Sequence, residues 1–191
     1  MTSTKAGSRD NAAIEANVLD TAMEILLEGG LGALTVQEIT KRSGVAKTTI
    51  YRRWPSADAI GIDAMRLRFS STYPAPDTGS LAGDLGVIFP AYREVTAEPG
   101  FRRVVLSLLS ASTSNPALDE VRVDMEEGRR DLLRPMINAA MKRGEIRPEL
   151  SFEQIRAIII GPIFLRNVVD GVEMSDEECE ALIPVVCRAL G

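Results

Sequence analysis

Thr35 to Trp54 reads TVQEITKRSGVAKTTIYRRW, a stretch whose caps and apolar spacing encode a helix, a tight turn and a second helix. Thr35-Val36-Gln37-Glu38 has the form of a capping box, in which the Thr35 hydroxyl accepts from a free N–H of the starting helix and Glu38 reaches back. Val36 and Ile39 point one way, toward a core. Ser43-Gly44 stops the helix, because glycine takes the left-handed conformation that a helix C-terminus needs. Val45 and Ile50 give the next short helix its buried side. That leaves Lys47, Thr48, Thr49 and Tyr51 facing outward. Lys41, Arg42, Lys47, Arg52 and Arg53 are five bases between positions 41 and 53, with no acid among them. Phosphate contacts supply most of the affinity for DNA and base-edge contacts the sequence preference; this stretch has candidates for both. A helical hairpin with a solvated basic face is the other reading of the same pattern.

The order Gly30-Leu31, Thr35-Val36, Ile39, Gly44-Val45, Thr49, Ile50-Tyr51, Trp54 and Pro55-Ser56 resembles the DNA-binding domain of the TetR/AcrR family of transcriptional regulators. The likeness runs from about Ile14 to Ile60. It implies that Lys47 and Thr48 face base edges, where lysine donates to guanine and threonine meets thymine or another edge. It implies phosphate contacts from Thr49, Tyr51 and Thr35, the last with the amides of its helix start. Arg52 and Arg53 are further candidates, for phosphate or a base. Trp54 is expected as a core wedge that holds the third helix against the fourth, rather than as a DNA contact. The family often has a lysine where this chain has Ala57, so one phosphate contact is expected to be missing.

The whole chain carries a net charge of −5, which looks wrong for a DNA binder until it is divided. Residues 1–55 hold seven bases and six acids, a net of +1, and residues 56–191 a net of −6. An acidic second domain is repelled by DNA and leaves the hairpin as the docking face. A chain of 191 residues buries roughly 70% of its unfolded surface, enough for one or two small domains. Aromatics are few and aliphatics many, with no alternating β pattern, so the expected fold is all-α with about nine helices. No apolar run reaches the ~18–20 residues of a membrane span, and no signal peptide is evident. Cys179 and Cys187 lie in one helix, ~12 Å apart, too far for a disulfide. The expected compartment is the reducing cytoplasm.

The expected domains are a helix-turn-helix domain over 1–55, a connecting fourth helix over 56–72 and a helical effector-binding and dimerisation domain over 73–191. Residues 1–9 are small and polar and expected to be mobile. Helix 1 is expected over about Asp10–Glu28, with Ile14, Val18, Ala22, Ile25 and Leu26 on one face. Helices 2 and 3 are expected over 36–42 and 46–52. Helix 4 should reach Ser71 with Ile60, Ala64, Leu67 and Ser71 on one face. Tyr73 to Gly79, with two prolines and a glycine, is the break. Further helices are expected over about 80–97, 101–113 and 116–143. Two capping boxes, Ser151…Gln154 and Ser175…Glu178, open the last two helices, reaching Asp170 and Leu190.

The run Ile158 to Leu165 is apolar almost all round, as in a helix buried on more than one side. We therefore expect a homodimer through the last two helices, with Ile155, Ile159, Phe164, Leu165, Val168, Leu182 and Val186 at the interface. The resemblance implies the same four-helix arrangement. It also implies a small apolar or amphipathic effector held by the second domain. Phe89, Tyr92, Leu108, Met125, Leu132, Met136 and Phe164 are candidates to line its site, between the fifth, seventh and eighth helices. The expected partners are thus double-stranded DNA with a palindromic operator, an effector and a second copy of the chain, with no membrane. The expected function is a repressor released from its operator by the effector; a helical protein-interaction module is the alternative. With no histidine, a Ser-His-Asp triad and histidine metal sites are excluded. No phosphate loop or dinucleotide glycine pattern is present, so no enzyme, catalytic residue, metal or cofactor is expected.

Overall fold

The computed structural model describes residues 4–69 and 75–191, with side chains over 11–68 and 75–191. Its elements are α1 (Thr4–Gly29), a 3₁₀ turn (Leu31–Ala33), α2 (Val36–Ser43), α3 (Lys47–Tyr51), α4 (Ala57–Phe69), α5 (Leu81–Ala97), α6 (Phe101–Ser112), α7 (Pro116–Lys142), α8 (Phe152–Phe164), a π-helical turn (Leu165–Asp170) and α9 (Asp176–Leu190). The described residues are all-α, with no strand. Helix α1 starts earlier than expected, at Thr4. Lys5, Ala6 and Arg9 favour helix, and extending an existing helix needs no new nucleus. The predicted end of helix 4 at Ser71, and Tyr73-Pro74 of the predicted break, lie outside the described residues.

The chain divides into two compact units that do not follow chain order. One is Met1–Ser71 with Arg103–Asp124; the other is Thr72–Arg102 with Met125–Gly191. In the first, Val18, Ala22, Ile25 and Leu26 of α1 bury the expected stripe, while Ile14 stays half-exposed. Leu34, Ile39, Ile50, Ile60 and Met65 close the core. The buried face of α4 is Ile60, Ala64 and Met65; Leu67, expected inside, is exposed. Gly61 explains the close packing of α4, because a Cβ there would meet Leu34 Cδ2 at 2.6 Å. Val104, Val105 and Leu108 of α6 and Leu118 and Val121 of α7 are buried. Arg103 of α6 donates to the carbonyls of Leu27 and Glu28, capping the end of α1.

The second unit has its own apolar cluster, built from α5 (Leu81, Leu85, Ile88, Phe89), α7 (Leu133, Met136, Ile137), α8 (Ile155, Ile159, Ile160, Ile163) and α9 (Cys179, Val186, Leu190). Both predicted capping boxes are formed, at Ser151/Gln154 and Ser175/Glu178. Helix α7 runs unbroken over 27 residues with Pro135 inside it. The α8 segment was expected to stay regular to Asp170. Instead its last six residues widen into a π turn, closed by Gly171 at φ 72°. The cause is long-range. The buried Asn167 donates to Thr96 Oγ1 at 2.7 Å and accepts from the Met174 amide at 2.9 Å. Arg102 donates to the carbonyls of Val168 and Val169, at 2.8 and 3.2 Å. Those carbonyls lie in the last turn, where a helix leaves its C=O groups without an internal partner, and Arg102 satisfies them.

Candidate nucleic-acid interface

Helix α2 starts as the sequence requires: the Thr35 hydroxyl accepts from the Glu38 amide at 3.1 Å. The reciprocal half of the expected box is replaced. Glu38 turns to Arg42, whose Nε donates to Oε1 at 2.7 Å, and lies 3.7 Å from Lys41. Here the carboxylate is engaged by the basic side chains one turn further along α2. The Arg42 bond is also the main reason the Glu38 carboxyl lies below its ordinary value. Gly44 sits at φ 70°, ψ 2°, and its amide donates to Thr40 at 3.1 Å. No residue with a Cβ takes that turn without strain. Ser43 holds the turn from both sides: its Oγ accepts from the Val45 amide at 3.2 Å, and its carbonyl accepts from Asn17 of α1 at 3.0 Å.

The second helix of the pair is short. Ile50 buries its inner side completely. Lys47, Thr48, Tyr51 and Arg52 are exposed, Thr49 and Arg53 half-buried, and Thr35 stands exposed at the start of α2. Lys47 Nζ lies 5.6 Å from the centre of the Tyr51 ring, within cation–π range. Trp54 is buried as the expected wedge, its Nε1 donating to Asp63 of α4 at 2.8 Å.

The five bases of the hairpin are not equivalent. Arg42 is bound to Glu38 and also to Glu28 of α1, at 2.7 Å. Arg53 is bound to Glu15 of α1 at 2.7 Å. Among the described residues, only Lys47 and Arg52 of the five have no carboxylate partner. Counting bases along the sequence missed Glu15 and Glu28. They lie 38 and 14 residues from their partners, and no local spacing announces such pairs.

The remaining candidates fall as follows. Phe89, Met125 and Met136 are buried, and Tyr92, Leu132 and Phe164 pack against the cluster of the second unit. Leu108 is buried too, but it belongs to the first unit. Of the residues assigned to a dimer face, Ile155, Ile159, Val168 and Val186 are buried within the protomer. Within the protomer they pack inward. Phe164 and Leu182 are half-buried. Leu165 is 52% exposed, and the apolar side chains beside it in the chain or on α9 that also face outward are Val169, Val172 and Val185. The apolar run had no polar residue to mark which side was which. Among the described residues, no helix is long and apolar enough to cross a membrane.

Residues 18–60 match the sequence profile of the bacterial regulatory proteins of the tetR family, and residues 75–186 match the tetracyclin repressor-like C-terminal domain. The chain is 31% identical over 185 residues to the helix-turn-helix-type transcriptional regulator YdeS of Bacillus subtilis, covering 96% of this chain and 92% of that one. The crystal structure of the TetR family transcription regulator SCO0332 aligns with a TM-score of 0.68 at 27% identity, over 93% of this chain and 98% of that one. GusR of Salmonella enterica aligns with a TM-score of 0.73 at 18% identity, over 93% and 95%, a likeness of fold alone. With a capped hairpin presenting a polar helix face, and with both of its regions matched, this chain belongs to the TetR family and is a DNA-binding transcriptional regulator.

Proposed function

We propose that the protein is a repressor that binds a palindromic operator as a homodimer and leaves it when its second unit takes up a small apolar or amphipathic effector. Membership of the family implies DNA binding, dimerisation and small-molecule binding in general terms; the palindrome, the repression and the release are our reading. The observation that carries it is the outward face of α3. Lys47, Thr48 and Tyr51 stand exposed on a helix held in register by the Gly44 turn. In our reading Lys47 and Thr48 meet bases, Thr35, Thr49 and Tyr51 meet phosphates, and Arg52 is the uncommitted phosphate-binding base. Arg53 joins only if Glu15 releases it.

One such head makes few contacts. A second head on a symmetric partner is held near its half-site at high effective concentration. The exposed apolar side chains Leu165, Val169 and Val185 support that pairing. Selection of bound fragments from a random DNA pool with the purified chain tests the reading. Two inverted half-sites, with centres about 34–36 Å apart or a multiple of this, are expected. Enrichment of a single unrepeated site, or of none, would overturn it.

A further inference from the structure

The second unit contains a polar centre that the reading above leaves unused. Tyr92 of α5 has its hydroxyl buried, with no hydrogen-bond partner among the described residues. Its neighbours in electrostatic reach are Arg129 and Glu126 of α7 and Arg156 of α8. Glu126 is shared by the two arginines. Arg129 Nη1 donates to one of its oxygens at 2.5 Å, and Arg156 Nη1 to the other at 2.8 Å. The three side chains are 17%, 21% and 23% exposed, for Arg129, Glu126 and Arg156, so solvent screens them weakly. Arg156 Nε is bound to Glu153, which also takes Arg130. Among the described residues Arg129 makes no other side-chain hydrogen bond.

This centre has more unused donors than unused acceptors. Both Glu126 oxygens are taken, while a guanidinium carries five N–H donors in a fork. The Tyr92 hydroxyl is held protonated, since burial pushes its pKa up. With two guanidiniums against one carboxylate, the surplus of donors and positive charge favours an entering group that accepts. A buried hydroxyl without a partner is costly, and one in a folded protein calls for an explanation. The surroundings define the rest of the ligand. On each of three helices the polar residue lies one turn from the apolar cluster: Tyr92 from Phe89, Arg129 from Leu132 and Leu133, Arg156 from Ile159 and Ile160. Residues three and four apart share a helix face. Polar groups and apolar cluster thus adjoin along α5, α7 and α8 alike.

We propose that Tyr92, Arg129 and Arg156 form the head-group end of the effector site, and that the effector is an amphipathic monocarboxylate. The carboxylate accepts from the Tyr92 hydroxyl and from the free edge of Arg129, and the apolar body lies against the half-buried Leu132. Arg156 positions Glu126, which in turn orients Arg129. The inference rests on the effector reading but fails separately from it.

The test compares decanoate, decanol and decylamine on the full chain, by calorimetric titration and by release of the selected DNA. Decanoate is expected to bind at least about tenfold more tightly than either neutral or cationic analogue, as hydrogen bonds to a charged group require. Tyr92→Phe removes an unpaired hydroxyl, so its melting temperature should hold or rise, and it should lose most of the preference for the acid. Arg129→Lys keeps the charge but loses the fork, and should lose it too. Equal binding of acid and alcohol, or a preference that survives both substitutions, overturns the inference. A neutral or cationic ligand that releases DNA from the unaltered protein overturns it while leaving the effector reading intact. Failure of ligands of every charge to bind or to release DNA overturns both.

Discussion

Lys47 and Tyr51 are four positions apart on α3, and the ammonium lies over the ring. The tyrosine therefore has two separable parts: a hydroxyl for phosphate and a ring that aims the lysine. Lys47→Ala should relax preference at one or two operator positions, by ~1–3 kcal/mol for a lost bidentate contact. Tyr51→Phe keeps the ring, so it should weaken all operators evenly and leave the preference unchanged. Affinities across a panel of single-base operator variants measure both, and equal patterns for the two substitutions would refute the division. Glu15 acts in the opposite sense, because it occupies Arg53 at 2.7 Å. Glu15→Gln should free that arginine for phosphate, raise affinity for unrelated DNA and steepen the salt dependence by about one unit of slope. The readout is log affinity against log salt for a non-operator duplex.

The last helices show what can and cannot be deduced from spacing. Capping boxes at Ser151 and Ser175 were legible because four consecutive residues determine them. The turn at Gly44 was legible for the same reason. The π turn was not, since its partners Thr96 and Arg102 lie 71 and 66 residues away in the chain. The inward and outward sides of the apolar run were equally hidden. This changes the variant that tests dimerisation. Leu165→Glu or Val185→Glu places a charge on a side chain about half exposed, and should separate the protomers without unfolding them. Ile159→Glu places an unpaired charge in the buried cluster, and should unfold the chain instead. Light scattering at micromolar concentration, read beside a thermal melt, distinguishes the two; a dimer that survives both surface charges moves the interface elsewhere.

Across the whole molecule, fold class and family were legible, whereas the pairing of compact units was not. Residues 103–124 join the first unit, through buried side chains of α6 and α7 and the Arg103 cap on α1. Sequence order carries no trace of that arrangement. Ionisation is simpler to foresee. The chain has no histidine, and burial pushes both cysteine thiols above their ordinary value of 9.0. The carboxyls of Glu38, Glu153 and Glu177 lie below their ordinary 4.5, held chiefly by Arg42, Arg156 and Ser175 respectively. A lowered carboxyl stabilises the fold above its unfolded value and stops doing so as pH falls through its folded one. A raised thiol lowers stability only once the unfolded chain ionises, at alkaline pH. Melting temperature should therefore be flat between about pH 5.5 and 8 and fall below about pH 4.5; a step near pH 6.5 would contradict this. The ion pairs between α1 and the hairpin have a consequence for the search over a chromosome. Two of the five bases are engaged with α1 before any DNA arrives. A reading head with little uncommitted charge is held weakly by arbitrary sequence, and arbitrary sequence outnumbers the operator by about a millionfold or more. Each of those arginines has to exchange a carboxylate for a phosphate before it contacts DNA, so the two pairs are expected to lower affinity for arbitrary sequence.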